Sequence, residues 1–325
     1  MIAYIVALML TNTPLALTGN EEGVWFIGDI DPSATSFTRA QDLDYELCEQ
    51  VGESEYLAIH PFTRRPAGLA VEKQTMWFID DTNGVGLYTI QLASSLHASS
   101  SRDALMQSPV MRSMFQTENH PTDFLLHNSS PLLVFGSGKK SETTLAHYVN
   151  NQWEFLPSVN GTNAFITSFH GELLSAVQGK DGHVRVSSLQ GGQWELGDFG
   201  MPLEGELFDF IRKDDWPILV TVQEGVATLV GIQKNNLVEL ANFPIPKGRW
   251  GVTTSSSGFT VVGVERNGTT TVVRLGWPSG TVSDPITLTE RMREDDSLLM
   301  TVLFVSMVCM SFLLLSKILN SRKPQ

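Results

Sequence analysis

The sequence predicts an all-β fold, a β-propeller of six four-stranded blades, followed by one C-terminal transmembrane helix. Three features carry that prediction. A weak repeat runs through the chain, each copy reads as four short strands, and one long uncharged apolar run lies near the carboxyl end.

The repeat shows when NNQWEFLPSV (150–159), GGQWELGDFG (191–200) and NNLVELANFP (235–244) are superimposed, which places Trp153, Trp194 and Val238 41 and 44 positions apart. A strand pair precedes each: PLLVFGSG with TTLAHYVN, ELLSAVQG with HVRVSSLQ, and PILVTVQE with VATLVGIQ. FTVVGVER with TTTVVRLGW closes the series near Leu288, and two earlier units begin alike at VWFIGDI (24–30) and MWFIDDT (76–82). The strands are rich in β-branched and aromatic residues and are punctuated by Gly, Asn, Asp and Ser. In the fifth unit they read LFDFIRK, PILVTVQ, VATLVGI and LVELANF. Repeats of about 40–45 residues with four strands each are the mark of a propeller, because a single sheet cannot cover both its faces. Six units fill residues 20–290, and the first lacks an evident innermost strand, so ring closure is expected to borrow one. A β-sandwich pair or a β-helix would also use many short strands. Between Ser94 and Gln116 the pattern at Leu105, Met106, Val110 and Met114 predicts a loop and a short helix, packed on the rim or offered to a partner.

The ends set the expected address. Ile2–Leu10 is an apolar stretch of leader length, and small residues follow, so residues 1–18 read as a signal peptide cut between Ala16 and Gly19. No Lys or Arg precedes Arg39, so the usual basic start is missing; a buried strand or an uncleaved anchor is the alternative. Ser297–Ser316 runs twenty positions without charge, Gly or Pro, which at ~1.5 Å per residue is roughly the thickness of a bilayer core. Lys317, Arg322 and Lys323 in the tail 317–325 favour a cytoplasmic carboxyl end. The expected topology is a single pass in the cell membrane, with the bulk of the chain extracytoplasmic, periplasmic or at the cell surface.

Composition narrows the partners. With 22 basic and 35 acidic residues the net charge is −13, a balance that repels nucleic acid and anionic headgroups. Cys48 is the only thiol outside the apolar run, so no disulfide can staple the body. Three sequences match the N-glycosylation pattern: Asn128-Ser-Ser, Asn160-Gly-Thr and Asn267-Gly-Thr.

Searches for chemistry return little. The sialidase Asp-box, Trp-Asp repeats, paired kelch glycines, a nucleophile elbow and a phosphate cradle are all missing. The seven histidines are scattered, with no pair at ligand spacing on one element, so neither metal nor cofactor is predicted. Asp80-Asp81-Thr82-Asn83-Gly84 resembles a calcium loop, but Ile79 stands where the first ligand belongs, and a hairpin turn explains it better. Trp25, Trp77, Trp153 and Trp194 recur in register, which favours packing between blades over sugar stacking.

In a propeller the turns between second and third strands gather at one end of the axis. Here they bring Asp80, Asp81, Lys139, Lys140, Lys180, Asp181 and His183, with Asp29, Asp31, Glu224 and Arg266, to a ring of mixed charge. Short turns of both signs suit recognition of a protein or a glycan more than a deep catalytic cleft. The competing reading is a surface-anchored hydrolase or lyase, which would need a clustered carboxylate pair with one strongly raised pKa.

The layout of leader, degenerate propeller, DPITLT strand (284–289) and single anchor resembles the front halves of bacterial membrane proteins of the RDD family. The RDD domain itself has no counterpart before Gln325, so the resemblance implies a sensor-like part standing alone and does not extend to transport. The bilayer is the expected partner of the C-terminal helix.

Overall fold

Consecutive apolar residues in the middle strands have a direct physical cause. Leu132, Leu133, Val134 and Phe135 are all buried, which a strand achieves only when both of its faces are covered. Leu132 and Val134 join a cluster with Ile166 and Leu173 on one side; Leu133 and Phe135 join Ile79 and Leu87 on the other. Side-chain alternation thus feeds two different junctions from one strand.

The computed structural model describes residues 15–290, apart from 21–22, 30–44, 52, 63–64, 81–83, 93–108, 118–119, 137–141, 162–163 and 234–235. The first strands are β1 (Leu17–Gly19), β2 (Val24–Asp29), β3 (Tyr45–Gln50) and β4 (Glu55–Phe62). Next come β5 (Gly68–Glu72), β6 (Thr75–Asp80), β7 (Val85–Gln91) and β8 (Val110–Phe115), then β9 (Asp123–His127), β10 (Ser130–Phe135), β11 (Glu142–Val149) and β12 (Gln152–Asn160). β13 (Phe165–Phe169), β14 (Glu172–Gln178), β15 (His183–Gln190) and β16 (Gln193–Pro202) follow, and then β17 (Glu206–Lys213), β18 (Trp216–Gln223), β19 (Val226–Gln233) and β20 (Asn236–Pro244). The last are β21 (Arg249–Ser255), β22 (Gly258–Val264), β23 (Thr270–Gly276) and β24 (Ile286–Glu290).

Strands β5–β20 form four separate antiparallel sheets of four, each in chain order. The innermost strands β1, β5, β9, β13, β17 and β21 touch in sequence, and β21 meets β1, so the ring is closed. An apolar cluster fills every junction between consecutive groups. Tight turns connect β9 to β10 and β11 to β12: Asn128 and Ser129, and Asn150 and Asn151, are paired positive-φ residues of the kind that suits two-residue hairpins.

Three expectations change here. Six separate blades do not form, because β24 pairs in parallel with β4, joining Thr289 to Glu55 and Glu290 to Tyr56. The first and last four strands therefore make one eight-stranded sheet. The reason is that no loop connects these two groups, so backbone pairing holds them. Second, the innermost strand missing from the first unit is β1, from a region read as the end of a leader. Leu15 is buried, and its N–H donates to the Trp250 carbonyl at 2.9 Å. Third, Val110–Phe115 is an outer strand, not a helix: β7 offers an open edge, and the pairing of Val85 with Phe115 and Thr89 with Val110 overrides helical spacing. Residues 93–108, 1–14 and 297–316 lie outside the described residues, among which no helix is long and apolar enough to cross a membrane.

Candidate functional site

The ring presents two ends, and polar side chains cross junctions at both. Beside the second-strand turns Gln178 donates to the Gly205 carbonyl at 2.8 Å and accepts from the Leu207 N–H at 2.9 Å, and Thr143 Oγ1 accepts from the Ala164 N–H at 3.1 Å. At one end lie the turns after each second strand. Lys180 and Asp181 occupy the β14–β15 turn, and His183 opens β15. Asp181 accepts from the His183 N–H at 3.2 Å and from Arg185 at 2.9 Å, and these donors hold its carboxyl below the usual range. Asp80 ends β6, with the β9–β12 blade between it and that turn. Asp81, Lys139 and Lys140 lie outside the described residues. Lys180, Asp181 and His183 therefore share one turn, and Asp80 belongs to the same end but not to the same cluster. Lys180, Glu224 and Arg266 are exposed at this end, with no hydrogen bond or ion pair to another blade among the described residues.

The other end carries the hairpins between first and second strands, and there the polar groups meet across junctions. Ser129 donates to Glu72, His127 Nδ1 lies 3.1 Å from Ser168 Oγ, and His170 Nε2 lies 3.1 Å from Asp215. Lys213 Nζ donates to the Ser255 carbonyl at 2.7 Å. These contacts join successive groups from β5 round to β21 as a polar collar. The His127 and His147 rings lie beside one another, tilted at 57° with centroids 5.5 Å apart. Burial lowers the pKa of both, the proximity of His147 lowering His127 further, while the His127 carbonyl and Glu154 partly offset the effect on His147. Their spacing of twenty hides the pair in the sequence, because β10 separates them along the chain and only the sheet brings them together.

A third feature lies on the innermost strands. Asp123 opens β9 and Asp209 lies in β17, and β13 touches both strands. Each carboxylate accepts from the following backbone N–H at 2.7 Å, from Phe124 and Phe210 respectively. Both are packed round by protein while keeping part of their surface open. Desolvation pushes Asp123 up to about 6 and Asp209 up to about 7, and the nearby Asp123 charge adds to the rise on Asp209. The recurring Asp-Phe dipeptide at matching first-strand positions was the available sequence signal for this pair. Among the described residues no group of three or more His, Cys, Asp or Glu side chains could hold a metal ion.

The recurring tryptophans fill junctions. Trp153 donates its indole N–H to Ser113 Oγ at 3.0 Å and Trp194 to the Pro157 carbonyl at 2.7 Å, each on the preceding blade. Trp25 is buried and Trp77 packs against a neighbouring cluster.

No family model and no curated protein matches the chain. Solved structures do match its shape. A fucose-specific lectin from Aleuria aurantia aligns at TM-score 0.56 and 9% identity, over 87% of this chain and 98% of that one. AofleA from Arthrobotrys oligospora aligns at 0.53 and 10%, over 87% and 91%. TolB from Acinetobacter baumannii aligns at 0.53 and 11%, over 83% and 67%. The fold is a β-propeller. At such identities the likeness is one of architecture alone.

Proposed function

We propose that this protein is a membrane-anchored, extracytoplasmic β-propeller that recognises a protein or a glycan and performs no chemistry of its own. We read its eight-stranded sheet as two blades fused at their outer strands, giving six in the ring; the cyclic contact of six first strands supports this. The apolar run 297–316 supports the anchor, and Lys317, Arg322 and Lys323 in the tail support the orientation. The RDD-like layout fits the same arrangement.

One observation carries the recognition reading: charged side chains at the end opposite the collar stand exposed, while Gln178 and Thr143 fasten the junctions there. Collar groups are engaged with one another across the junctions, which is structural work. Lys180, Glu224 and Arg266 at the opposite end are exposed to solvent, with no polar bond to another blade among the described residues, as a docking surface requires. Asp80, Asp81, Lys139, Lys140, Lys180, Asp181 and His183 are the residues assigned to it. Fucosylated glycans are the first ligands to test, since the lectin with this fold has been seen with α-methyl-L-fucoside. Detergent-solubilised protein should bind a glycan or surface-protein panel, and the combined Asp80→Ala, Lys180→Ala, Asp181→Ala and His183→Ala variant should lose that binding. Retained binding would remove these residues from the proposal. Protease shaving of intact cells should digest residues 20–290 and spare the tail.

The hydrolase or lyase reading is favoured by the Asp123–Asp209 pair, since a carboxyl that stays protonated near neutrality can act as a general acid. Under that reading Asp209→Asn abolishes turnover of a bound substrate while leaving its affinity in place.

A further inference from the structure

We propose that Asn267 is an acceptor for N-linked glycosylation; the inference rests on the extracytoplasmic reading and adds a modification to it. Asn267-Gly268-Thr269 matches the acceptor pattern. The pattern alone is weak, and the turn that carries it supplies the argument.

A transferase must reach two groups: the side-chain amide nitrogen and the hydroxyl two residues on. In the β22–β23 turn both are presented. Asn267 is exposed, and its Oδ1 accepts from the Thr269 N–H at 3.0 Å, which fixes the side chain by its oxygen. Neither its Nδ2 nor the Thr269 hydroxyl has a hydrogen-bond partner among the described residues. Backbone bonds hold the turn beneath them, from Glu265 N–H to the Thr269 carbonyl at 2.9 Å and from Gly268 N–H to the Glu265 carbonyl at 3.0 Å. Gly268, at φ +86°, supplies the left-handed residue that the turn needs, so a sugar on Asn267 disturbs none of these bonds.

Asn128 has the same pattern and the opposite circumstances. Its Nδ2 lies 3.1 Å from His127 Nε2. Its acceptor nitrogen belongs to the collar. The third match, Asn160, is exposed, but its Thr162 lies outside the described residues, so it forms no part of the proposal.

In the reaction the Asn267 Nδ2 attacks the anomeric carbon of a polyprenyl-diphosphate-linked oligosaccharide. The N–C1 bond forms, the C1–O bond to phosphate breaks, and polyprenyl diphosphate leaves with the bonding pair. The amide gives up one proton to the surrounding base, and nothing is oxidised or reduced. The sugar then stands at the end that carries Lys180 and Asp181, but on the last group of strands.

The test uses the full chain in a eukaryotic secretory host, once with its own amino terminus and once behind a host leader. Peptide-N-glycosidase treatment should shift the leader-bearing chain, and site mapping should find asparagine converted to aspartate at position 267. Asn267→Gln and Thr269→Ala should remove that site, whereas Thr269→Ser, which keeps the hydroxyl, should retain it. Occupancy of Asn128 should be several-fold lower. An exported, protease-accessible chain that is bare at Asn267 overturns the proposal, as does equal occupancy at Asn128. Modification only behind the host leader upholds the acceptor site and refutes export by the chain's own start.

Discussion

The seam between the first and last strand groups and the junctions between the separate blades hold the same ring by different means. Between separate blades the contacts come from side chains. Apolar clusters interlock, and the indoles of Trp153 and Trp194 donate to the blade before them. At the seam the backbone does more. Leu15 N–H reaches Trp250, Thr289 N–H reaches Ser54 at 2.9 Å, and β24 lies parallel to β4. The lesson is one of connectivity. Neighbouring blades are tethered by a short link, so packing alone keeps them together, whereas the chain's two ends have no link and must be fastened at both edges.

Removing the inner fastening should have the largest effect. A chain beginning at Leu15 should unfold like the full-length protein, while one beginning at Asn20 should lose on the order of 5 kcal/mol, read by urea denaturation, through lost strand pairing and apolar burial. Next comes Trp250→Ala. Trp250 is fully buried, stacks on Phe208 at 4.2 Å and meets Phe243 edge-on, so its loss should cost ~3–5 kcal/mol. Equal losses from both changes would mean that the seam is no more dependent on its end strand than on packing.

The axial acids predict a pH dependence within the blades. Asp209 is raised from 3.8 to about 7 in the folded state, so the folded protein binds more protons than the unfolded chain across that interval. The contribution of Asp209 to stability should therefore fall as pH rises from about 4 to about 7 and then level off, against an opposite slope from His127 and His147. Glu49, pushed up to about 7 by burial in β3, adds to the same slope. Asp209→Asn keeps the acceptor for Phe210 N–H and should flatten the slope, stabilising the protein by ~2 kcal/mol at pH 8. The smallest effect is expected for Trp194→Phe, which removes the bond to Pro157 but keeps most of the packing, costing ~1 kcal/mol by thermal denaturation.

Much of the propeller was readable because its signal is local. The strands of the fifth unit were found within a few residues of β17–β20, since each combines β-branched runs with turn residues. The in-register tryptophans also declared their packing role. What could not be read depends on distant partners. β1 has only three residues and is a strand only because β2 and the last group flank it. Val110 and Met114 look helical until β7 supplies an edge. Among the site residues, Lys180, Asp181 and His183 were close in sequence and remain close in space. His127 with His147, and Asp123 with Asp209, meet only after the sheets assemble, so no window along the chain contains the pair.

The closure at Leu15 has a consequence for synthesis. Val24 and Phe26 pack against Val262, Val264 and Val272, which leave the ribosome more than about 230 residues later. Until then the first group keeps an apolar face and an unpaired outer strand open to the solvent, the kind of surface on which nascent chains stick to one another. Messages truncated anywhere before the final strand should therefore yield aggregates and not smaller rings, and a chaperone that shields the first group during translation would act at the slowest point of assembly.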